Sequence, residues 1–517
     1  MNKIPHPVVD LFAGPGGLGE GFSSLQDTEG TPIFHSIVSI ERDKFSHQTL
    51  LLRHFLRSFP KSYFPPEYYE YLADNITIDQ LYAKYPQQHQ AASETALKIS
   101  LGPETHEAVK RIVAGRLGAS KKWALIGGPP CQAYSLVGRS RMRGNENFEN
   151  DERHFLYKEY LRIIADHCPP VFVMENVKGL LSSKIGNELV IHRIIKDLER
   201  PGTAFDDVKN ASAYRLYSLS EPASEGGTID PRRFLVKAEN YGVPQARHRI
   251  FIVGIRSDLS VKPNQLQPHK PPTVSETIGN LPKIRSGLSK GEDTAQRWRE
   301  EITKLSPDNP GGLGADAVKI TLLKKAMADS LKKMDTSSLK TRNSKACPKA
   351  LKTNHKALAD MYDERLTTLT GHESRGHMPS DLRRYFFVSV FSEATGQTPK
   401  LVDFPENQLP NHKNVAEGRA GKMFSDRFRV QLANKPSTTI TSHISKDGHY
   451  FIHYDPLQCR SLTVREAARL QTFPDNYKFE GPRTSQYHQV GNAVPTYLAK
   501  QIAEIIAEVL DTIGDDD

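Results

Sequence analysis

The sequence has few of the residues that build metal centres, disulfide scaffolds or membrane spans. Its 517 residues include only four cysteines, none of them in a CxxC pair, and no Cys/His spacing suits zinc. We therefore expect a reduced compartment, no metal and no disulfide framework. No apolar run reaches the ~18 residues of a membrane span, and the first residues lack the layout of a secretory signal. These absences predict a cytoplasmic protein that does not associate with membranes.

Positive charge is what the sequence has in excess. The formal net charge is +9, which favours a polyanionic partner such as nucleic acid. Residues 281–360 alone contain 17 Lys and Arg against 9 Asp and Glu. This segment is either a solvated basic surface or a module that faces DNA, and the composition leaves both interpretations open.

Short apolar runs that alternate with helical patterns predict an α/β fold with a doubly wound sheet. Each run stops at glycine, proline or a charged residue, as buried strands of a parallel sheet do. Residues 496–510 form a separate amphipathic helical pattern. We expect strands at 7–13, 36–40, 123–127, 171–174 and 250–254, and helices at 155–167 and 187–199.

A glycine loop follows the first expected strand. Gly14, Gly16 and Gly19 have the GxGxxG spacing, which lets the backbone approach a ligand closely and begins a helix whose amides face that ligand. Glu41 ends the next strand, where a carboxylate can accept hydrogen bonds from ribose hydroxyls. A nicotinamide oxidoreductase would share this loop, and so would a glycine turn that binds no nucleotide.

Three further motifs place reactive side chains beside strands. Cys131 follows Gly-Gly-Pro-Pro, and because proline fixes φ the thiol is held in one place as a candidate nucleophile. Glu175 begins Glu-Asn-Val at the end of another strand and should face the same crevice. Arg247 and Arg249 lie on one face of a strand and suit a phosphate, a carboxylate or a carbonyl oxygen. The alternative for each motif is an ordinary structural or surface role.

These four motifs, in this order, resemble the DNA cytosine-5 methyltransferases. The resemblance continues through Arg460-Ser-Leu-Thr-Val-Arg-Glu-Ala-Ala-Arg-Leu-Gln-Thr-Phe-Pro-Asp475 and Gln489-Val-Gly-Asn-Ala-Val-Pro495. It implies a Rossmann-like S-adenosylmethionine-dependent methyltransferase fold with a large inserted target-recognition domain. The implied domains are a catalytic, cofactor-binding domain at 1–256, a DNA-binding target-recognition domain at 257–445 and a C-terminal return to the catalytic domain at 446–517.

The resemblance also implies a mechanism. The thiolate of Cys131 attacks carbon 6 of a cytosine flipped out of duplex DNA, and carbon 5 then takes the methyl group of S-adenosyl-L-methionine. Glu175 protonates or hydrogen-bonds ring nitrogen 3, which requires a raised pKa. Arg249 contacts the ring carbonyl, and Arg247 supports the site. The base that removes the carbon 5 proton is not identified by the sequence.

The remaining site residues are carried over from the same resemblance. Either Asp74 or Asn75 is expected at the adenine amino group. The DNA contacts are expected in loops and basic clusters that suit phosphates and base edges. The other implied cofactor contacts are Phe12, Gly14, Pro15, Gly16, Glu41, Arg42, Pro130, Leu156, Asn492 and Val494, and the expected DNA contacts are Ser135, Arg375, Arg383, Arg384 and Thr441.

Two alternatives compete with the DNA methyltransferase interpretation. An RNA cytosine-5 methyltransferase would share the motifs, but the large basic insertion fits duplex DNA better. A catalytically silent DNA-binding scaffold would have no chemical reason to retain Cys131, Glu175, Arg247 and Arg249. The expected partners are double-stranded DNA and, by association with enzymes of this type, a restriction endonuclease that acts independently; a monomer suffices to flip one base.

Overall fold

The computed structural model of the chain describes residues 4–60, 63–130, 156–185, 188–208, 211–222, 230–305, 317–334, 339, 341–409 and 428–514. The chain forms two compact units. Unit 1 comprises Met1–Tyr71, Ile76–Lys270 and Ala493–Asp517, and unit 2 comprises Leu72–Asn75 and Pro271–Asn492. These boundaries differ from the predicted domains, because unit 1 extends beyond residue 256 and residues 446–492 belong to unit 2.

Unit 1 is built on an eight-stranded sheet that confirms the predicted α/β class. Its strands and the short strands around them are β1 (His6–Leu11), β2 (Phe34–Ile40), β3 (Ala96–Leu97), β4 (Ala124–Gly127), β5 (Val171–Val177), β6 (Lys184–Ile185), β7 (Glu188–Leu189), β8 (Tyr214–Tyr217), β9 (Leu235–Lys237), β10 (Gln245–Ala246) and β11 (His248–Arg256). The sheet order is β3-β2-β1-β4-β5-β11-β8, and β9 also pairs with β11.

The first five strands of this order are parallel, and the last ones are not. β1 pairs in parallel with β2 and with β4, and β4 pairs in parallel with β5. β11 runs antiparallel to β5, with Arg249 opposite Val177 and Ile255 opposite Val171. The apolar run at 250–254 therefore forms a buried strand as predicted, but its direction is opposite to that of the parallel set. Burial on both faces gives an apolar run in either direction, so the composition of the run does not reveal strand direction.

Alternate residues of the central strands enter two separate cores. Val8 and Val173 belong to the core on one face of the sheet, and Val9 and Phe172 belong to the core on the other. Helices cover both faces. The helices of unit 1 are α1 (Gly17–Ser23), α2 (Lys44–Arg57), α3 (Pro66–Leu72, whose last residue belongs to unit 2), α4 (Ile78–Lys84), α5 (Pro86–Thr95), α6 (His106–Leu117), α7 (Leu156–His167), α8 (Val190–Glu199) and, near the C-terminus, α16 (Thr496–Thr512).

Helix α16 packs against α1 at very short range. Its apolar stripe shares a core with Val8 of β1, as the periodicity at 496–510 predicts. A Cβ atom added to Gly21 of α1 would lie 2.3 Å from the Cβ of Ala499. Only glycine therefore allows the two helices to approach this closely, and the end of the chain is fixed onto the beginning of the fold.

Unit 2 is organised around one long buried helix. Helix α13 is apolar around most of its circumference, and Leu382, Tyr385, Phe386 and Phe391 all lie in the core of unit 2, as expected for a helix enclosed by its own domain. The helices of unit 2 are α9 (Val274–Ile278), α10 (Ala295–Thr303), α11 (Ala317–Lys333), α12 (Lys356–Ala359), α13 (Pro379–Thr395), α14 (Val464–Leu470) and α15 (Arg483–Asn492), and its strands are β12 (Gly287–Leu288), β13 (Gly376–His377) and β14 (Ser437–Thr438).

Buried arginines connect α14 to the rest of unit 2. Arg460 makes a bidentate bond to Glu466, with both N–O distances at 2.6 Å, and its Nε donates to the carbonyl of Ile284. Although burial opposes it, Arg460 holds the pKa of Glu466 well below its usual range. Arg469 binds Asp475 in the same bidentate way. Such buried pairs contribute little net stability but are costly to break, so they fix one arrangement of the segments they join.

The described ranges contain neither a membrane-spanning helix nor a metal-binding group of side chains. No helix there is both long and apolar enough to cross a membrane. No group of three or more His, Cys, Asp or Glu side chains in those ranges is placed to hold a metal ion.

We expect Gly21→Ala to destabilise unit 1, because the added methyl group must displace the backbone or Ala499 of α16. Overpacking of this kind costs about 1–3 kcal/mol. Gly115→Ala in α6 is the matched control, since a Cβ there meets nothing within 4 Å and alanine is the better helix former by ~1 kcal/mol. Urea unfolding followed by circular dichroism should shift in opposite directions for the two variants. Equal midpoints would show that the α1–α16 contact is not tight.

Candidate active site

The glycine loop after β1 has the backbone that its sequence predicts. Phe12, Gly14 and Gly16 have φ values of 56°, 58° and 95°, a region that glycine enters at little cost. The amide of Gly16 donates to the carbonyl of Ala13 at 2.9 Å, and α1 begins at the next residue. The loop, with Pro15 inside it, therefore turns directly from the carboxyl end of β1 into a helix.

Glu41 ties this loop to the end of β2. Its Oε2 accepts the amide of Gly14 at 2.9 Å, and its Oε1 accepts the amide of Asp43 at 2.7 Å. Burial raises the pKa of Glu41, and these backbone hydrogen bonds oppose the rise. The structure thus brings together the predicted residues Phe12, Gly14 and Glu41, while the side chain of Arg42 beside them is exposed.

Asp10 is a candidate site residue that was not predicted from the sequence. Its carboxyl group is 1% exposed beneath the glycine loop, and neither oxygen has a hydrogen-bond partner among the described residues. Burial raises its pKa from 3.8 to about 7, with Arg57 opposing and Glu41 reinforcing the rise. A Cβ at Gly19 would lie 2.8 Å from its Oδ2. The available signal was an aspartate inside an otherwise apolar run.

The second wall of the site is the Gly-Gly-Pro-Pro segment after β4. A Cβ on Gly128 would lie 2.9 Å from Oε2 of Glu175, so the missing side chain makes room for this carboxylate. The buried amide of Asn176 donates to the carbonyl of Pro129 at 3.4 Å. Cys131 and Ser135, the predicted nucleophile and DNA contact, lie outside the described residues. Pro130, the last described residue before them, is half-buried.

Glu175 pairs with Arg249 across the β5–β11 ladder. Arg249 Nε lies 3.1 Å from Glu175 Oε1, and both side chains are largely buried. Burial raises the pKa of Glu175, although Arg249 and Arg247 act in the opposite direction. Burial and the neighbouring Arg249 lower the pKa of Arg247, whose side chain is 1% exposed. The predicted carboxylate and arginines therefore form one buried cluster, and it touches the Pro-Pro segment at Gly128.

The other predicted cofactor contacts lie in different places. The carbonyl oxygen of Val494 would be 2.6 Å from a Cβ on Gly17, which puts Val494 beside the start of α1. Leu156 begins α7 and is half-buried. Asn492 is exposed at the end of α15 in unit 2. Asp74 and Asn75 are exposed residues of unit 2 rather than the end of a sheet strand.

The predicted DNA contacts of unit 2 make bonds within the protein. The guanidinium of Arg375 is buried, donates to the carbonyls of Ile444 and Lys446, and stacks 4.1 Å from the ring centre of Tyr487. Such a group is a structural element of unit 2, and this geometry does not favour direct contact with DNA. In the same unit, Arg383 pairs with Glu301 at 3.1 Å, Arg384 pairs with Asp381 at 2.7 Å, and Thr441 precedes a 3-10 turn at Ser442–Ser445.

Comparisons with known proteins agree on one family. The family model of C-5 cytosine-specific DNA methylases matches residues 119–508. Type II methyltransferase M.Bpa9945I of Bacillus paralicheniformis is 31% identical, over 97% of this chain and 99% of its own length. DNA (cytosine-5-)-methyltransferase M.ApeKI of Aeropyrum pernix is 30% identical, over 75% of this chain and 82% of its own.

One solved structure supports the fold. An E. coli protein assigned as a prophage-encoded DNA modification methyltransferase superposes with a TM-score of 0.50 at 18% identity, covering 98% of this chain and 99% of that one. At this identity the likeness shows a shared fold alone.

We expect Asp10→Asn to change how stability depends on pH. The pKa of Asp10 is raised from 3.8 to about 7 in the folded protein. The folded state therefore holds a proton that the unfolded chain releases, and stability falls as pH rises from 3.8 to about 7. Over that interval the loss approaches roughly 4 kcal/mol, and asparagine removes it. Urea unfolding at several pH values should show the variant gaining on the wild type as pH rises. A difference that does not change with pH would contradict a buried, ionisable Asp10.

Proposed function

The chain belongs to the C-5 cytosine-specific DNA methylases of restriction-modification systems, and we propose that it methylates carbon 5 of a cytosine flipped out of a specific duplex DNA sequence through a covalent adduct of Cys131. The observation that carries this proposal is the buried pair of Glu175 and Arg249. Glu175 lies against Gly128, three residues before Cys131. An acid, a cation and the segment that carries a thiol thus converge at one point.

The adduct makes carbon 5 reactive. The thiolate of Cys131 forms a bond to carbon 6, and the electron pair of the double bond between carbons 5 and 6 moves toward carbon 5 and ring nitrogen 3. Glu175 supports this step by donating a proton or a hydrogen bond at ring nitrogen 3, which its raised pKa allows. Arg249 donates to the ring carbonyl oxygen. Once carbon 5 carries the new methyl group, a base takes its proton, the double bond between carbons 5 and 6 re-forms, and the thiolate of Cys131 is expelled.

The residues around the glycine loop fit S-adenosyl-L-methionine as the cofactor. When bound, it supplies an electrophilic methyl group on a sulfonium. The carboxyl of Asp10 has no hydrogen-bond partner among the described residues and favours a cationic ligand nearby. The oxygens of Glu41 retain acceptor capacity beyond the amides of Gly14 and Asp43. The amides at the start of α1 and the backbone of Val494 complete the loop's surroundings. The further contacts that stay predictions are Phe12, Pro15, Arg42, Asp74, Asn75, Pro130, Leu156 and Asn492.

Access to the target base sets the remaining requirements. Carbon 6 and carbon 5 are covered in a stacked duplex, and rotating the base out costs a few kcal/mol. We propose that unit 2 supplies the DNA contacts that offset this cost and select the sequence. One protomer suffices for one flipped base, so we propose a monomer that acts on DNA in the cytoplasm, with a restriction endonuclease of the same specificity acting independently.

Replacing the nucleophile tests the proposal directly. We expect wild-type protein, expressed in a host that lacks cytosine methylation, to produce 5-methylcytosine at one recurring sequence, and Cys131→Ala to produce none. Cys168→Ala is the matched control, because Cys168 follows α7 at the amino end of β5, away from the carboxyl edge where the site lies. Bisulfite sequencing of the host genome reads all three. Methylation by Cys131→Ala would refute the adduct, and methylation of RNA but not DNA by the wild type would reassign the substrate.

The acid predicted at ring nitrogen 3 has its own test. We expect Glu175→Gln to lower the single-turnover methylation rate by about 10²–10⁴-fold, the usual contribution of a positioned acid. Because burial raises the pKa of Glu175, the wild-type rate should fall as pH rises through that pKa, and the amide should abolish this limb of the profile. Glu159→Gln is the control, since burial also raises the pKa of Glu159 in α7. A Glu175→Gln profile with the wild-type shape would exclude the acid role.

A further inference from the structure

Unit 2 contains a cavity of about 320 Å³ whose lining includes none of the proposed catalytic residues Glu175, Arg247 and Arg249. We refer to it as the unit 2 cavity. Its wall is rich in charged and polar side chains, and cationic groups predominate. Part of the wall comes from the basic segment 281–360, whose function the sequence left open. The lining consists of Leu72 and Asp74 with residues of the segments 343–345, 369–373, 464–465 and 478–486.

Two lysines on this wall face the same carboxylate. Nζ of Lys345 lies 2.8 Å from Oδ2 of Asp74, and Nζ of Lys478 lies 3.9 Å from Oδ1 of the same side chain. Lys345 and Asp74 are both about two-thirds exposed, whereas Lys478 is 18% exposed. Burial lowers the pKa of Lys478, although Glu480 and Asp74 act against it. An additional anion near Lys478 would therefore stabilise its charged form.

A second carboxylate on the wall is also shared by two cations. Oε1 of Glu373 lies 3.0 Å from Arg342 and 3.4 Å from Arg483. These side chains are more than a third exposed, and exposed pairs of this kind are weak. An incoming anion can therefore replace the carboxylate as the partner of Arg483 at little cost.

Arg465 adds positive potential to the remaining wall. The buried guanidinium of Arg465 donates to the carbonyls of Thr370, Pro474 and Tyr477, which are neutral groups. Burial lowers the pKa of His372 to about 4, so this side chain is uncharged at neutral pH. The lining of the cavity is therefore mainly cationic, and such a lining does not suit a metal ion.

We propose that the unit 2 cavity holds a backbone phosphate of the DNA substrate, with Lys345, Lys478 and Arg483 as its ligands. The inference rests on the proposed function only in requiring DNA as the substrate. A phosphodiester carries one negative charge and oxygens that accept from both ammonium and guanidinium groups. These three residues position the duplex and do not take part in the chemistry.

The test removes two of the partly exposed ligands together. We expect Lys345→Gln/Arg483→Gln to weaken binding of a short fluorescein-labelled duplex measured by anisotropy at several KCl concentrations. The slope of log Kd against log[KCl] should fall by about 0.9, the contribution of one phosphate contact on B-form DNA. In methylation assays the KM for DNA should rise while kcat at saturating DNA stays unchanged.

One further variant controls for net charge, and another tests whether DNA affinity can change in the opposite direction. Lys121→Gln/Lys262→Gln removes the same charge from unit 1, where both lysines are exposed and Lys121 precedes the amino end of β4. The slope of this variant should equal that of the wild type. Glu373→Gln removes the carboxylate that competes for Arg483, and it should tighten DNA binding. Opposite effects on the two sides of one ion pair are not expected from general destabilisation.

The outcomes separate the sources of the anion and the two proposals. A slope for Lys345→Gln/Arg483→Gln equal to that of the lysine control would overturn the inference. Inorganic phosphate could instead stabilise the wild type against heat but not this variant, while the salt slope for DNA binding stays unchanged. That result would make the cavity a free-anion site and would also overturn the inference. Absence of methyl transfer to DNA by the wild type would count against the proposed function, whereas the slope comparison measures binding alone and still decides the inference.

Discussion

Parallel pairing of β1 with β2 on one side and β4 on the other is the constraint on which the site depends. Parallel strands release their chains at the same edge of a sheet. Three segments therefore meet because of the strand pairing, with no specific contact between the loops required: the glycine loop after β1, Glu41 after β2 and the Pro-Pro segment after β4. The hydrogen bond from Gly14 to Glu41 and the fit of Glu175 against Gly128 then set the distances. Burial of both sheet faces holds this edge in place.

Buried charge has two different uses in this molecule. In unit 2, Arg460 and Arg469 are each matched by a bidentate carboxylate, and these two pairs fix the segments they join in one arrangement. In unit 1, Asp10 has no hydrogen-bond partner among the described residues, and burial raises its pKa. A fully paired charge stabilises one conformation, whereas an incompletely paired one retains the capacity to bind a ligand or transfer a proton.

Much of the fold and part of the site could be predicted from sequence. The strands, α7, α8 and α16 follow from apolar periodicity, because burial leaves a direct trace in residue type. The direction of β11 leaves no such trace. The resemblance identified the segment 460–475 but not the structural role of its arginines, since partners such as Ile284 lie far away in sequence. Arg375 was predicted to contact DNA because the sequence does not distinguish a buried arginine stacked on Tyr487 from an arginine on the surface. Asp10 was overlooked inside an apolar run.

The order of synthesis gives the α1–α16 contact another meaning. Unit 1 takes β1 from His6–Leu11 and α16 from Thr496–Thr512, and all of residues 271–492 are made between them. On a ribosome, the core around Val8 stays open until the residues of α16 emerge. Unit 2 can therefore fold while unit 1 still lacks its last helix. A polypeptide released early lacks the cover over that core and exposes an apolar surface that chaperones and proteases recognise. Completion of the core around Val8 therefore follows the synthesis of unit 2, and the support that α16 gives to α1 is added after residues 271–492 have been made.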